Sequence, residues 1–313
     1  SKKGILFDNF YANGDRSEKG MVALFSSLPP MPAYSIMKNP GHSRRLPSFI
    51  SKLKENGYKT SFYYGGDINF ANMQSYLKQS GFSEIFSKNN LNLDRPETKW
   101  GYHDEGMFDL FYQDIISEKD TSVFALFTIS SHEPYDVPFE GPYGTKTEGQ
   151  RCKNAYYYTD SCLNVFLNKL EKSSDWENSL VILVSDHGTR YGNIEVWDLP
   201  KFQIFMLWTG GAIFSEPMVI SRTADQSDIS ATLLGSLNIP HDEFIFSENI
   251  FSKVNTNVFY VFNHGYAFVK DSSWAIYDIN PDKIVYRGSD SENLDNQTKA
   301  YAQKLAEYYK SIE

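Results

Sequence analysis

The sequence lacks the features that would mark a fibrous, disordered or membrane-spanning chain. Its 313 residues contain only 20 Gly and 13 Pro, which excludes collagen-like and low-complexity chains. The longest apolar runs, such as 179–184 and 202–208, fall far short of the roughly 18–20 residues that a transmembrane helix needs. Positive charge is not in excess, because 30 Lys and Arg face 39 Asp and Glu, so we expect no nucleic-acid partner. The chain is therefore expected to be globular.

Cysteine is scarce, and neither a targeting segment nor a nucleotide-binding loop is visible in the sequence. Cys152 and Cys162 lie ten residues apart in one predicted helix, roughly 15 Å along its axis and beyond disulfide reach. No G-x-x-x-x-G-K loop occurs, which leaves a nucleoside-triphosphatase without support. The chain opens Ser1-Lys2-Lys3-Gly4 with neither Met nor an apolar leader, so we expect a fragment or a processed product.

Short β-like runs alternate with amphipathic stretches between about residues 45 and 240, which predicts an α/β fold. Lys59–Tyr64 reads as a strand that follows a helix. Thr121–Ile129 and Leu180–Val184 are continuous apolar runs and predict central strands that are buried on both faces. Between them, Gln150–Glu171 carries apolar residues at helical spacing, which places Cys162 in the core.

The pattern of predicted secondary structure changes after about residue 250. Asn257–Val269, Trp274–Ile279 and Lys283–Tyr286 predict short antiparallel strands, and a helix over Asn293–Ser311 closes the chain. We therefore predict two parts: residues 1–250 form a larger α/β domain and residues 251–313 form a small subdomain with an antiparallel sheet and a helix.

The strongest local signal for chemistry is Ser185-Asp186-His187-Gly188, which directly follows an apolar strand. Ligands in α/β sheets bind where strands end. A carboxylate oxygen and an imidazole nitrogen suit zinc or manganese, and Gly188 permits a tight turn beside them. As an isolated pair this remains a weak metal signal.

Two further segments carry side chains that could take part in catalysis or in phosphate binding. His132 follows the strand 124–129, where the alternative is a histidine that hydrogen-bonds a surface turn. Ser17 stands at the head of a predicted helix, where backbone N–H groups favour an alkoxide or a phosphate. The alternative is that Ser17 or Asp15 is simply an N-cap. Asp228 reads mainly as a turn or cap residue.

Taken together, these segments resemble the alkaline phosphatase and sulfatase superfamily, in its lipoteichoic acid synthase and phosphoglycerol transferase branch. The matching stretches run in family order over about residues 5–240: 7–11 through 19–20, 57–58 with 63–67, 100–101, 130–135, 185–188, 201–204, and Asp228 with 232–234. The resemblance implies a three-layer α/β sandwich with a central, mostly parallel sheet, and makes residues 1–250 the catalytic domain.

The resemblance also implies roles for individual residues. Ser17 occupies the nucleophile position, and Ser17, Asp186 and His187 are ligands of one divalent ion, manganese or zinc. His132 is a catalytic residue that contacts the phosphate or the leaving group. Trp100 lines the implied head-group pocket. His103 is a further candidate for a substrate contact because it follows Trp100, and Arg16 is a third candidate.

The implied reaction is metal-dependent transfer or hydrolysis of a phosphate ester, closest to phosphoglycerol transfer to or from a lipid or glycan. The substrate is then a lipid-linked or glycan phosphate ester. The implied location is the extracytoplasmic face of a bacterial cell membrane, in the periplasm or outside the cell, with anchoring through upstream helices.

Three departures from the family pattern bear on activity. Ser17 replaces the Thr that is usual in this branch and keeps the hydroxyl. Tyr102 stands where the family has a basic residue, which weakens the expectation of phosphoglycerol head-group recognition. The family's first core strand, whose end supplies a further acidic metal ligand, is expected upstream of Ser1, so the fragment is expected to bind metal weakly and turn over little.

Two alternatives stay open at this point. One is a sulfatase or general phosphodiesterase of the same superfamily, although Lys19 and Met21 stand where formylglycine sulfatases carry Pro and Arg. The other is a catalytically silent module that binds glycans or lipid head groups. The aromatic content of 16% suits sugar stacking, but scattered aromatic residues more often serve packing.

Overall fold

The structure is a computed structural model, and it describes residues 4–95, 97–189, 195–252, 257–288 and 292–312. The first three residues, where a processed start is expected, lie outside that part. The strands are β1 Ile5–Tyr11, β2 Lys59–Tyr64, β3 Glu84–Ser87, β4 Ser122–Phe127, β5 Val181–Val184, β6 Gln203–Thr209, β7 Met218–Ile220, β8 Ala224–Asp225, β9 Asn257–Phe262, β10 Gly265–Lys270, β11 Ser273–Asp278 and β12 Lys283–Arg287. The helices are α1 Ser17–Ser26, α2 Pro40–Ser43, α3 Phe49–Glu55, α4 Met73–Gln79, α5 Asp104–Ser117, α6 Glu148–Glu171, α7 Leu199–Phe202, α8 Ile229–Ser236 and α9 Glu292–Ser311. Among the described helices, none is long and apolar enough to cross a membrane.

The chain divides into two compact units. The first contains residues 1–52, 180–209 and 213–313, and the second contains residues 53–179 and 210–212. The C-terminal sheet and helix belong to the first unit. The predicted division into residues 1–250 and 251–313 stays a prediction.

The first unit is built on a five-stranded sheet in the order β5-β6-β1-β7, with β8 also pairing with β1. Strand β1 runs parallel to β7 and β8 and antiparallel to β6. Its register against β6 shifts between Phe7 and Phe10. Both of these phenylalanines are buried, so the middle strand of this sheet also anchors its core.

The second unit contains a parallel sheet in the order β3-β2-β4. Four of the six strand pairs in these two sheets run parallel, which confirms a mostly parallel α/β arrangement for the described strands. The prediction of central, fully buried strands at Thr121–Ile129 and Leu180–Val184 is wrong. Among the described strands, β4 and β5 each lie at the edge of their sheet, and their side chains are half-buried because each has side chains of only one flanking strand beside it.

Helix α6 confirms the predicted apolar stripe. It begins with a capping box in which the side chains of Thr147 and Gln150 each accept from the other's backbone N–H. Cys162 is buried on the stripe, and both cysteines are free thiols, as predicted. This periodicity is visible in the sequence because the helix packs one face only.

The C-terminal part of the first unit is the predicted antiparallel sheet, in the order β12-β11-β10-β9, together with α9. The ring of Tyr260 on β9 stacks on Phe202 at the end of α7, with 4.0 Å between ring centroids. Tyr11 at the end of β1 belongs to the same buried cluster. The sheet is therefore packed into the core of its unit.

Candidate functional site

Ser17 lies on the first turn of α1, at the end of the connection from β1. Arg16 occupies the N-cap position without a side-chain hydrogen bond, and Ser17 is the first helical residue. The alternative in which Ser17 or Asp15 is the N-cap is therefore wrong. Ser17 is half-buried and Arg16 is exposed. The position brings the hydroxyl to the positive end of the helix dipole.

The connection before Ser17 is held rigidly by Asn13, which is fully buried. Its side-chain amide donates to the carbonyl oxygen of Phe259 at 2.7 Å, and its side-chain oxygen accepts from the backbone N–H of Ser227 at 3.1 Å. Because both ends of this amide are satisfied by distant segments, the start of α1 has one position in the fold.

The turn that carries Asp186 and His187 packs directly on α1. A Cβ atom at Gly20 would overlap the carbonyl oxygen of Asp186 and lie 2.9 Å from its carbonyl carbon. Gly20 stands three residues after Ser17 on the same helix, so the two share a face. Gly188 makes a second close approach of this kind, to the carbonyl of Lys201. The two glycines allow the strand-end turn to lie between α1 and α7.

Asp186 and His187 present one oxygen and one nitrogen to the same space. The Asp186 Oδ1 accepts from the backbone N–H of His187 at 3.0 Å. His187 Nδ1 lies 2.7 Å from the carbonyl oxygen of Gly188, which only accepts, so Nδ1 carries the proton and Nε2 the lone pair. Nε2 and Asp186 Oδ2 stand 3.6 Å apart, and both side chains are about four-fifths buried.

This donor pair fits a divalent metal ion. Two tetrahedral ligands at about 2.0–2.2 Å from one ion stand about 3.4 Å apart, close to the separation of Nε2 and Oδ2. The second ring nitrogen of a metal-binding His usually donates to a carbonyl or carboxylate, as Nδ1 of His187 does. Among the described residues, no group of three or more His, Cys, Asp and Glu is placed to hold an ion. The described part of the site thus supplies two such donors, to which Ser17 would add a hydroxyl.

Sequence reasoning missed Gln226, which ties these pieces together. Its side-chain amide donates to the carbonyl oxygens of Ser185 and Asp186, at 2.8 and 2.7 Å. Its side-chain oxygen accepts from the backbone N–H of Asn13 at 3.0 Å. One fully buried side chain therefore fixes the strand-end turn relative to the connection that leads to Ser17.

Asp225 and Asp228, on either side of Gln226, form a buried carboxyl pair. They make a reciprocal capping box, which confirms the predicted cap role of Asp228. Asp228 also accepts from the backbone N–H of Glu248 at 2.9 Å. Burial raises the pKa of both aspartates, and the charge of Asp225 raises the pKa of Asp228 further.

In the second unit, Trp100 and His132 share one acceptor. The indole N–H of Trp100 and Nδ1 of His132 lie 2.5 and 2.8 Å from the carbonyl oxygen of Glu133. Their rings meet edge to face with centroids 5.3 Å apart. Nδ1 of His132 thus carries the proton, which leaves Nε2 as the nitrogen for chemistry.

Asp104 fixes the segment that bears His132. One carboxylate oxygen accepts from the backbone N–H groups of Ile129 and Ser130, at 2.8 and 3.2 Å, and the other accepts from Thr159 at 2.7 Å. The N–H of Asp104 donates back to the Ser130 hydroxyl at 2.9 Å. The sequence gives no signal for this role beyond the position of Asp104 after His103.

His103 and Tyr102 are both buried. His103 is the N-cap of α5 and meets the ring of Tyr158 edge to face, and burial lowers the pKa of its imidazole. Its contact with substrate stays a prediction. Tyr102 accepts from the backbone N–H of Leu93 at 3.2 Å and donates to the carbonyl of Leu91 at 3.3 Å. The side chain that replaces the family's basic residue therefore braces a loop.

Solved structures of related proteins share this fold. A protein in the alkaline phosphatase superfamily from Vibrio parahaemolyticus matches with a TM-score of 0.86 and 25% identity, over 99% of this chain and 79% of that chain. The lipoteichoic acid synthase LtaP from Listeria monocytogenes matches with a TM-score of 0.81 and 18% identity, over 99% of this chain and 83% of that chain. These likenesses confirm the predicted alkaline phosphatase-like α/β fold.

Sequence comparison gives the same relationship. Phosphoglycerol transferase I from Escherichia coli is 24% identical over 243 residues, which is 72% of this chain and 32% of that protein. The chain spans less than half the length of the curated relatives that it matches first. The profile of the Sulfatase family matches residues 1–239, about three quarters of the chain. With that match and this fold, the chain belongs to the sulfatase family of the alkaline phosphatase superfamily.

Proposed function

We propose that this chain carries the nucleophile and part of the metal site of an enzyme that transfers or hydrolyses a phosphate ester, closest to a phosphoglycerol transferase. The observation that carries the proposal is the close packing of Gly20 on the backbone of Asp186, which holds the first turn of α1 beside the Asp186-His187 turn. The named relatives add support, because they include a phosphoglycerol transferase and a lipoteichoic acid synthase.

In the proposed reaction the Ser17 oxygen attacks phosphorus. A new O–P bond forms to Ser17, the ester bond to the leaving oxygen breaks, and the Ser17 proton is lost to solvent or a base. Water or an acceptor hydroxyl then removes the group and restores Ser17. The first-turn amides of α1 favour the negative charge that develops on the phosphoryl oxygens.

Asp186, His187 and the Ser17 hydroxyl are the residues that would hold a divalent ion, manganese or zinc. When bound, the ion would neutralise phosphoryl charge and lower the pKa of the hydroxyl. The carbonyl of Gly188 fixes the tautomer of His187 for this purpose, and the backbone of His187 orients the carboxylate of Asp186.

His132 is proposed to act as an imidazolium, in which Nδ1–H stays engaged by the carbonyl of Glu133 and the Nε2 proton passes to the leaving oxygen. Trp100 shares that carbonyl and keeps the imidazole ring in place. Trp100, His103 and the exposed Arg16 are the proposed substrate contacts. His103 is only 8% exposed, so its proposed contact requires the substrate to reach a buried side chain.

The proposed substrate is a lipid-linked or glycan phosphate ester, at the extracytoplasmic face of a bacterial membrane. A sulfatase is the second candidate, because the matching profile is that of the Sulfatase family. Lys19 and Met21 argue against formylglycine chemistry at Ser17.

The test compares phosphodiester, phosphomonoester and sulfate-ester substrates with the natural protein, with manganese and zinc supplied separately. We expect fastest turnover of the phosphodiester, a phosphoryl adduct on the peptide that contains Ser17, and loss of both in Ser17→Ala. Fastest turnover of the sulfate ester would overturn the phosphodiester assignment. Binding of anionic glycerolipid with no turnover would favour the silent module.

A further inference from the structure

Two neighbouring cavities in the first unit together make up one groove. They measure about 600 and 440 Å³ and share Leu199 and Trp274 among their lining residues. Each falls in the range of roughly 300–1,000 Å³ that is typical of sites for small ligands. We propose that this groove, called the Trp274 groove below, binds a neutral oligosaccharide.

Aromatic side chains give the groove its apolar surface. Trp274 borders both cavities, with Tyr11 in the larger and Trp197 in the smaller. The indole of Trp274 rests on Gly288, where any added Cβ would overlap the ring. Because the ring is already held in one place, packing of a ligand on it would cost little side-chain conformational entropy. The C–H faces of pyranose rings pack on such fixed aromatic rings, whose polar edges stay accessible to hydroxyl groups.

The polar side chains of the larger cavity are already ordered. The hydroxyl of Tyr11 donates to the side-chain oxygen of Asn9 at 2.9 Å, and the side-chain amide of Asn9 donates to the hydroxyl of Thr223 at 2.9 Å. The hydroxyl oxygens of Tyr11 and Thr223 retain acceptor capacity. Exposed Ser272 and Asp271 add a hydroxyl and a carboxylate at the rim. Because the donors are engaged within this network, the groups that it leaves for a ligand are fixed acceptor oxygens, which suit a molecule rich in hydroxyl groups.

The charge of the groove distinguishes a neutral sugar from an anionic one. Among the lining residues that the structure describes, Asp271, Asp198 and Glu195 contribute three carboxylates, against one guanidinium from Arg222. That guanidinium donates to the backbone carbonyl of Ile250 at 2.8 Å, so part of its donor capacity is used. A net acidic lining repels phosphate and sulfate groups. The groove therefore fits the uncharged part of a glycan.

Helix α7 links the groove to the turn that bears Asp186 and His187. Leu199, at the start of the short helix α7, lines both cavities, and Lys201 of the same helix contacts Gly188 through its carbonyl. We therefore assign the bound oligosaccharide to the glycan part of the substrate. This last assignment rests on the proposed function, whereas binding by the groove does not.

The test is calorimetric titration of the metal-free protein with gentiotriose, cellotriose and maltotriose, without any phosphate ester. Glucose 6-phosphate and choline serve as the anionic and cationic comparators. The variants are Trp274→Ala and Asp271→Asn, since Asn also tolerates the positive φ of residue 271. Tyr277→Ala is the matched control, because Tyr277 lies on β11 but alternates to the face opposite Trp274.

We expect at least one trisaccharide to bind, with affinity reduced at least about tenfold by Trp274→Ala and less than about twofold by Tyr277→Ala. If Trp274→Ala fails to fold, as judged by circular dichroism, the exposed Asp271→Asn decides, with an expected loss of about three- to tenfold. The proposal is overturned if no trisaccharide binds, if the control weakens binding equally, or if choline or glucose 6-phosphate binds instead. Because no metal or ester is present, these outcomes are independent of the test of catalysis.

Discussion

The carbonyl of Asp186 lies against the Cα of Gly20, one helical turn after Ser17. No side chain fits between the two segments, so helix α1, which carries the proposed nucleophile Ser17, and the strand-end turn meet through their backbones. This contact makes the spacing between the two parts of the proposed site a property of the fold itself.

Replacement of Gly20 by Ala should separate these segments. The added Cβ meets backbone atoms that cannot rotate away, so we expect a loss of about 1–3 kcal/mol in the free energy of unfolding and a large loss of turnover. Gly41→Ala is the control, because a Cβ there meets nothing within 4 Å. Equal effects of the two variants on turnover, after correction for the folded fraction, would contradict the role of this contact.

Gln226 should act as a positioning residue. Gln226→Leu removes the donors to Ser185 and Asp186 and the acceptor for Asn13, each worth about 1–3 kcal/mol when left unpaired in the interior. We expect lower stability together with weaker metal affinity. Ser230→Ala, which removes a buried hydrogen bond to Ser27, should lower stability alone. An unchanged metal affinity in folded Gln226→Leu would refute the positioning role.

His132 should matter most for substrates with a poor leaving group. We expect His132→Ala to lower kcat by about 10²–10⁴ for alkyl phosphodiesters and much less for nitrophenyl esters, whose leaving oxygen needs no proton. His264→Ala provides a histidine control in the turn between β9 and β10. A loss of the same size for both classes of ester would exclude the acid role.

The buried pair Asp225 and Asp228 should make stability fall as the pH rises. Burial raises the pKa of both groups in the folded state, so the folded protein binds protons more tightly than the unfolded chain. Their contribution is fully present below about pH 4 and is lost as the pH rises through the folded-state pKa. Urea unfolding from pH 4 to 8 should show a flatter profile for Asp228→Asn, and no change for the exposed Asp120→Asn. Identical profiles for the wild type and Asp228→Asn would contradict this explanation.

Local patterns in the sequence predict much of this structure. The stripe on α6 follows from hydrophobic periodicity, the strand before Asp186 from a continuous apolar run, and the C-terminal sheet from short β-like runs. All three signals depend on neighbouring residues only. The donor pair at 186–187 follows from its place at a strand end, and its two side chains do point to one space.

The remaining features depend on contacts between distant segments. Gln226 lies 40 residues from Asp186 and 213 from Asn13, and no local spacing encodes such bonds. An apolar run shows that a strand forms but not which strands flank it, so the edge positions of β4 and β5 were not predictable. The contact that buries His103 against Tyr158 also joins distant segments, and no local pattern in the sequence predicts it.

The central claim is that Asp186 and His187 hold a divalent ion beside Ser17. Calorimetric titration of the natural protein with zinc and with manganese tests it most directly, with Asp186→Ala, His187→Ala and the control His264→Ala. We predict that the wild type and the control bind one of the two metals, with the weak affinity expected of two such donors and a hydroxyl. Each site variant should weaken that binding by more than the roughly 10–100-fold that loss of an outer-shell partner costs. Unchanged affinity in both site variants, or no binding of either metal by the wild type, would contradict the claim.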